Sequence, residues 1–323
     1  IYKDIYFIIS NLMKKKLTFL GIETSCDETA ASVVQENGDG TAKVLSNVVS
    51  SQIKEHEKFG GVVPEIAARA HVENIDFIIQ QALDVSKKEI KDIDGIAATG
   101  GPGLIVCLNV GHNIGKSLAA FSEKPFLSIN HLEGHALSPG IENKISFPYL
   151  LLLVSGGHSQ YLIVKDVNNY KQIGTTIDDA VGEAFDKTAK ILGLGYPGGP
   201  QIEKFAKLGN KNSYNLPEPI INRAGCNLSL AGLKTAVLRK SKELSSDKER
   251  YNLAASFQET INKILTKKTK VAMEKFREEI TSNSLRPFVV AGGVAANETI
   301  RKNLKELSKK MDFDPIFPSK EFC

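Results

Sequence analysis

One pattern occurs twice, about 130 residues apart, and limits what this 323-residue chain can become more than anything else in it. Leu17-Thr18-Phe19-Leu20-Gly21-Ile22-Glu23 reads as a short apolar strand and runs into the polar turn Thr24-Ser25-Cys26-Asp27-Glu28-Thr29. Strands are predicted next at residues 30–35 and, past the Asn37-Gly38-Asp39-Gly40 turn, at 43–50. Residues 149–154 repeat the opening strand, Ser155-Gly156-Gly157-His158-Ser159 repeats the turn, and 160–164 and 170–175 repeat the two strands that follow. A duplicated domain leaves this trace. The expected class is α/β in two related halves, divided at residues 141–147. With 42% hydrophobic residues, the chain can bury two cores of about 150 residues each.

Helical patterns lie between and after the strands. Pro64 opens one that runs to about Val85, with Ile66, Ala67, Ala70, Ile75, Ile78, Ile79 and Leu83 along one face. Residues 104–121 carry Gly111 and Gly115 as a small-residue face. Asp178-Asp179 is expected to cap a helix ending near Leu192, and the Gly195-Tyr196-Pro197-Gly198-Gly199-Pro200 loop to break it. Residues 247–280 form a long charged helix, 287–291 a buried strand and 298–310 a last helix, while 234–246 favour neither state.

The first residues stand apart. The apolar run at 5–9 is too short for a bilayer, and Lys14-Lys15-Lys16 follows it, the reverse of a signal peptide. Asp4 and the lack of Arg argue against a mitochondrial leader. Met13 reads as a natural start. Residues 1–16 are therefore read as an extension, disordered or not native, with 17–146 and 147–323 as the two lobes. The expected location is the cytoplasm, with no membrane partner. A net charge of +4 permits nucleic acid without demanding it. Cys26, Cys107, Cys226 and Cys323 show no Cys-x-x-Cys spacing, which points to reduced thiols.

Four glycine turns adjoin strand ends or helix starts: Thr99-Gly100-Gly101-Pro102-Gly103, Ser155-Gly156-Gly157, residues 195–200, and Ala291-Gly292-Gly293. Glycine lets backbone N–H groups reach an oxyanion, so the set suggests a phosphate-bearing ligand. None is a Walker P-loop or a dinucleotide fingerprint, which excludes the first and argues against the second. Asp186, between two of these turns, is placed to accept hydrogen bonds from ribose. His131-Leu132-Glu133-Gly134-His135 sets two imidazoles four residues apart after the apolar run Phe126-Leu127-Ser128-Ile129-Asn130, read as a buried strand. Alone, such a pair serves structure as often as ligation. Beside a strand end and four phosphate turns, a metal site is favoured. His71 and His112 read as ordinary helix residues, and Cys26 as packing. His158 either orients substrate or closes a hydrogen bond. Lys234, Arg239, Lys240, Lys263, Lys267, Lys268 and Lys270 form either a solvated face or a contact for nucleic-acid phosphates.

Together, several motifs in order resemble one family. They are Gly21-Ile22-Glu23-Thr24-Ser25-Cys26-Asp27-Glu28-Thr29, Gly60-Gly61-Val62-Val63-Pro64-Glu65, the His131 pentapeptide, and Leu153-Val154-Ser155-Gly156-Gly157-His158. Glu183-Ala184-Phe185-Asp186-Lys187-Thr188-Ala189-Lys190, Tyr196-Pro197-Gly198-Gly199-Pro200 and Ala291-Gly292-Gly293-Val294-Ala295-Ala296-Asn297 complete the set. The chain resembles the TsaD family, the bacterial and organellar tRNA N6-adenosine threonylcarbamoyltransferases, from about Leu17 to Cys323. The resemblance implies a duplicated actin-like ATPase fold of the ribonuclease H-like type, two lobes with a central nucleotide cleft.

It also implies transfer of the threonylcarbamoyl group from threonylcarbamoyl-adenylate to N6 of the adenosine 3′ of the anticodon, in tRNAs reading codons that begin with adenine, with release of AMP. By the same resemblance Leu153, Val154, Ser155, Gly156, Gly157, Asp186, Gly199 and Asn297 bind the adenylate. His131 and His135 hold one metal ion, Fe(II) or alternatively zinc, and Asp27 or Glu28 takes the amine proton. TsaB and the ATPase TsaE are implied as helper subunits. The family's third metal ligand, an Asp, is expected just past Cys323, so the second lobe reads as truncated; Leu230-Ala231-Gly232-Leu233-Lys234 stands where Phe-Ser-Gly-Leu-Lys is usual. The alternatives are an inactive scaffold of the same family, an actin-fold kinase using magnesium, and a metalloprotease, which lacks its Glu because Leu132 follows His131.

Overall fold

The computed structural model describes residues 16–281 and 285–319. The expected extension, apart from Lys16, and the four last residues lie outside them. The chain divides after Lys144 into two compact units.

Unit 1 runs β1 (Thr18–Glu23), β2 (Glu28–Glu36), β3 (Ala42–Ser51), α1 (Ile53–Glu57), α2 (Pro64–Ser86), a 3-10 turn (Ile90–Asp92), β4 (Gly95–Gly101), α3 (Ile105–Phe121), β5 (Phe126–Asn130), α4 (His131–Leu137) and α5 (Pro139–Glu142). Its sheet has the order β3-β2-β1-β4-β5. β2 and β3 pair antiparallel, as do β1 and β2, while β4 runs parallel to both β1 and β5. Leu20, Ile22, Ala31 and Val33 of the sheet pack against Ile75, Ile78, Ile79 and Ala82 of α2, the helical spacing that the sequence pattern anticipates. Pro64 starts α2 where a missing N–H costs no bond. β5 is not the buried strand expected. It is the last strand, has one neighbour, and leaves Leu127 44% exposed.

Unit 2 runs β6 (Tyr149–Val154), β7 (Ser159–Asp166), β8 (Asn169–Thr175), α6 (Val181–Leu192), α7 (Gly198–Ala206), α8 (Ala231–Ser241), α9 (Asp247–Glu279), β9 (Arg286–Ala291), a 3-10 turn (Gly293–Ala296), α10 (Glu298–Lys310) and β10 (Phe313–Ile316). Its order, β10-β9-β6-β7-β8, matches that of unit 1 strand for strand, with the same antiparallel and parallel senses. The duplication read from the sequence is therefore present in the topology. β6 is buried at all six positions because strands flank it on both sides and helices cover it. α9 begins with a capping box from Ser246 and Glu249 and buries Phe257, Ile261, Ile264, Leu265 and Phe276.

Three local expectations are corrected. Asp178 and Asp179 do not cap α6, whose N-cap is Ala180. The Asp178 carboxylate instead accepts from Leu230 N (2.7 Å), Ala231 N (3.2 Å) and Ser229 Oγ (2.6 Å), and so caps α8, the region that favoured neither state. The loop after α6 ends early: Gly198 and Gly199 open α7, since Pro197 occupies the N-cap and leaves them helical. Lys268 belongs to no solvated face. It is 1% exposed and donates to Arg223 O (2.8 Å) and Gly225 O (3.2 Å). Among the described residues, no helix is long and apolar enough to cross a membrane.

Candidate active site

In unit 1 the parallel strands β1, β4 and β5 end at one edge of the sheet, where side chains from three elements can meet. Glu23 ends β1, Thr99 lies near the end of β4, and His131 follows β5 directly. Thr99 Oγ1 donates to Glu23 Oε2 (2.5 Å), Ser25 N donates to Glu23 Oε1, and His131 Nδ1 lies 3.4 Å from Glu23 Oε2 and 3.3 Å from Ser25 Oγ. Burial alone would push the Glu23 carboxyl up. The hydrogen bonds from His131, Ser25 and Thr99 outweigh it and hold the group at about 2. Glu23 is thus ionised and can only accept, so His131 Nδ1–H donates to it. α4 is fixed at its start by Asn130, whose side chain accepts from Leu132 N and Glu133 N.

The His131 and His135 rings stand on consecutive turns of α4, 4.6 Å apart and nearly perpendicular. A carboxylate on one imidazole nitrogen fixes the tautomer and leaves the other nitrogen as the ligating one, the usual surrounding of a metal-bound histidine. The residues present therefore fit a cation held through His131 with His135 beside it. Among the described residues no group of three or more His, Cys, Asp or Glu forms a complete ligand set.

Asp27 lies on the turn between β1 and β2, and Glu28 opens β2. Desolvation and the charges of Asp27 and Glu23 push the Glu28 carboxyl above its ordinary value. Cys26, expected to pack, is partly open to solvent; desolvation by the atoms around it and the charge of Asp27 push its thiol up to about 12, so it is no nucleophile at neutral pH. His71 is no ordinary helix residue either. It is fully buried and bonded through both ring nitrogens.

In unit 2 the expected binding residues divide by role. Leu153 and Val154 bury their side chains in the core and can reach a ligand only through backbone. Ser155, Gly156 and Gly157 leave the sheet as a turn; a Cβ at either glycine would meet nothing within 4 Å. The first amides of α6 are already used, since Gly182 N donates to Ser155 O (3.2 Å) and Glu183 N to Gly156 O (3.1 Å). The turn is thereby bound to the helix, and a phosphate there would meet the turn rather than the helix end. Asp186 Oδ1 accepts from Gly198 N (2.7 Å), joining α6 to the start of α7. Gly198 must be glycine, because a Cβ would press on Asp186 and lie 2.7 Å from Phe185 O. Gly199, one residue on, faces open space. Gly292 (φ 94°) passes the Val154 carbonyl so closely that a Cβ would stand 2.5 Å from it. Asn297 is 8% exposed. Its oxygen caps α10 through Ile300 N (3.0 Å) and its amide donates to Gln258 (3.0 Å), so it shapes the 293–296 turn. His158 N donates to Ser155 Oγ (3.2 Å), a bond of its backbone within the turn.

The residues that sequence reasoning missed are Glu23, Ser25 and Thr99 as the support of His131. One signal was available for Glu23: a carboxylate that ends an apolar strand at a sheet's carboxyl edge.

Two α/β units with one repeated strand order, each gathering polar residues at the carboxyl ends of its parallel strands, define a protein of the actin-like ATPase fold. Solved structures agree on the fold. HypF of T. kodakarensis has TM-score 0.63 at 14% identity, covering 95% of this chain and 46% of that one. Component A of the Acidaminococcus fermentans (R)-2-hydroxyglutaryl-CoA dehydratase has TM-score 0.52 at 15% identity, covering 93% and 91%. The family model "TsaD: tRNA N6-adenosine threonylcarbamoyltransferase" matches residues 43–323. A curated relative of that name from Pelagibacter ubique is 58% identical over 96% of this chain and 87% of its own length, and one from Brucella anthropi is 50% identical over 95% and 86%. The chain belongs to the TsaD family of transferases.

Proposed function

We propose that the chain transfers the threonylcarbamoyl group from threonylcarbamoyl-adenylate to N6 of the adenosine 3′ of the anticodon and releases AMP. The observation that carries this reading is the match, over 96% of the chain at 58% identity, to a relative named for that transferase activity. In the reaction the N6–carbonyl bond forms, the bond from the carbonyl carbon to the phosphate oxygen breaks, AMP leaves as the anion, and one amine proton must be taken up. Unit 2 holds the adenylate: backbone of the 155–157 turn and of Gly199 takes the phosphate, Asp186 the ribose, and the turn that Asn297 shapes the adenine. The open space over Gly156, Gly157 and Gly199 supports the phosphate assignment.

Unit 1 supplies the ionisable groups. Asp27 or Glu28 accepts the amine proton, and the raised affinity of Glu28 for a proton suits it to that role. His131 and His135 hold one divalent cation, iron(II) or zinc, with Glu23 fixing the His131 ring. Such an ion supplies positive charge that polarises a carbonyl or screens a departing phosphate. The protein works in the cytoplasm with TsaB and TsaE as helper subunits. The test is incubation with threonylcarbamoyl-adenylate and unmodified tRNA, read by nucleoside mass spectrometry. Loss of product in the Asp27→Asn, Glu28→Gln double variant supports the proton acceptor, and an unchanged transfer rate rejects it.

A further inference from the structure

Beneath the turn that carries Asp27 lies a group of fully buried polar side chains that none of the steps above uses. Thr29, His56 and His71 are 0% exposed and Gln52 is 2% exposed. Their hydrogen bonds form a single chain whose directions are fixed by groups that can act in one way only. His71 Nε2 lies 3.0 Å from Cys26 O, a carbonyl that can only accept, so Nε2 carries the proton. Nδ1 of the same ring is then the acceptor, and it receives Thr29 Oγ1 at 2.7 Å and Gln52 Nε2 at 3.2 Å. Gln52 Nε2 also reaches Ala67 O at 3.4 Å, and its Oε1 receives His56 Nε2 at 3.2 Å. At the far end His56 Nδ1 accepts from Val63 N at 3.3 Å. Every polar group in the chain has its role, and both histidines are neutral.

The backbone adds the decisive contact. Gln52 N donates to Asp27 O at 3.1 Å. The carbonyls of Cys26 and Asp27, one on each side of the Asp27 α-carbon–amide segment, are thus both held by the same buried group. We propose that His71, Gln52 and His56 are positioning residues: they clamp the Asp27 segment at its two carbonyls and tie it to the Gly60-Gly61-Val62-Val63 loop at the start of α2. The proposal rests on the reading that the Asp27–Glu28 turn serves the transfer. Misplacement of a reacting group by about 1 Å costs up to ~100-fold in rate, so a clamp of this kind acts on turnover rather than on substrate binding.

Two substitutions of His71 separate the clamp from mere filling of space. Gln places an amide N–H where Nε2 stands and can still reach Cys26 O. Asn places its amide near Nδ1, satisfies Thr29 and Gln52, and leaves Cys26 O unmet. With the full chain and its helper subunits, His71→Asn should lower kcat about tenfold or more with KM for tRNA and donor within about twofold, and His71→Gln should restore most of it. A second reading is independent of activity. Cys26 is exposed and itself carries the clamped carbonyl, and loosening of the turn should relieve the desolvation of its thiol and raise its rate of alkylation by iodoacetamide several-fold in His71→Asn but not in His71→Gln, as read at the Cys26 peptide by mass spectrometry. If His71→Asn does not fold, Thr29→Val, which keeps the volume and removes only the hydroxyl donor, takes its place in both measurements. A folded His71→Asn with parental Cys26 alkylation overturns the proposal, as does a His71→Gln no better than His71→Asn. Should Asp27→Asn, Glu28→Gln transfer at the parental rate, the proton acceptor falls on its own test, and the alkylation rates alone then decide the clamp.

Discussion

Replacing Thr99 by valine removes one hydroxyl and keeps nearly the same shape, so it isolates a single bond to Glu23. The Glu23 carboxyl is held at about 2 against an ordinary 4.5, burial opposing and the bonds from His131, Ser25 and Thr99 prevailing. At ~1.4 kcal/mol for each tenfold change in proton affinity, the whole depression corresponds to ~3 kcal/mol. The Glu23 side chain is 37% exposed, and screening by solvent removes roughly half of that. Three donors share the remainder, and Thr99, at 2.5 Å, ranks after His131 and Ser25. The expected loss in Thr99→Val is ~0.5 kcal/mol near neutral pH.

The sign of the pH dependence follows from the direction of the shift. Glu23 is more acidic folded than unfolded, so its stabilisation is complete above 4.5 and is lost as the pH falls toward 2. Urea unfolding of the parent, Thr99→Val, Glu23→Gln and the double variant measures the coupling, and the Thr99→Val deficit should shrink between neutral pH and about pH 3. A deficit equal at both pH values, or single effects that add within ~0.3 kcal/mol, refutes the reasoning.

Further outcomes follow from neighbouring contacts. Gly198→Ala forces a Cβ onto the α6 backbone and should lower stability by ~2–3 kcal/mol in thermal unfolding, whereas Gly199→Ala, with open space around it, should change stability by less than ~0.5 kcal/mol and weaken AMP binding measured by calorimetry. Asp178→Ala strips the start of α8 of three hydrogen bonds and should cost ~2 kcal/mol in urea, with Asp178→Asn recovering part of it. Lys268→Met leaves the Arg223 and Gly225 carbonyls without their buried donor; protease sensitivity of the 216–230 loop should rise while α9 stays helical by circular dichroism. His131→Ala and His135→Ala should each reduce bound iron or zinc in elemental analysis of the purified protein, and Glu23→Gln should reduce it less.

The strands and their duplication were legible because the signal is local: alternation, an apolar run and a turn peptide. The same is true of α2, whose proline start and apolar stripe lie in one window. What escaped depends on partners distant in sequence. Asp178 looked like the cap of the helix that follows it, yet its oxygens meet amides more than fifty residues away. Lys268 looked like one of several surface charges, and only the loop carbonyls folded over it show otherwise. His131 was found by its spacing to His135, while Glu23, Ser25 and Thr99, which support that histidine directly or through Glu23, carry no spacing rule because β1, the turn after it and β4 deliver them. The buried bonds of His71 were likewise invisible, since a histidine on a helix reads alike whether it meets water or a carbonyl.

The two units show how one topology takes two chemistries. Each has the same five-strand order, and in each the first strand ends in a polar turn at the carboxyl edge of its parallel strands. Both turns are tied to the helix that follows: Leu104 N donates to Ser25 O at 2.8 Å in unit 1, and Gly182 N to Ser155 O at 3.2 Å in unit 2. What differs is what the turns and their neighbours carry. In unit 1 these are ionisable side chains, Glu23, Asp27, Glu28 and His131. In unit 2 the space over Gly156 and Gly157 is open, and the strand before them ends in Val154, wholly buried. Bare backbone there suits the anion proposed for it, which needs donors at close range and no Cβ between. Moving Glu23 to the Val154 position would bury a carboxylate at a fully enclosed site, with the Gly292 backbone against its carbonyl. The copies are thus not interchangeable: ionisable side chains around one turn and bare glycines in the other suit the first to charge on side chains and the second to an anion on amides.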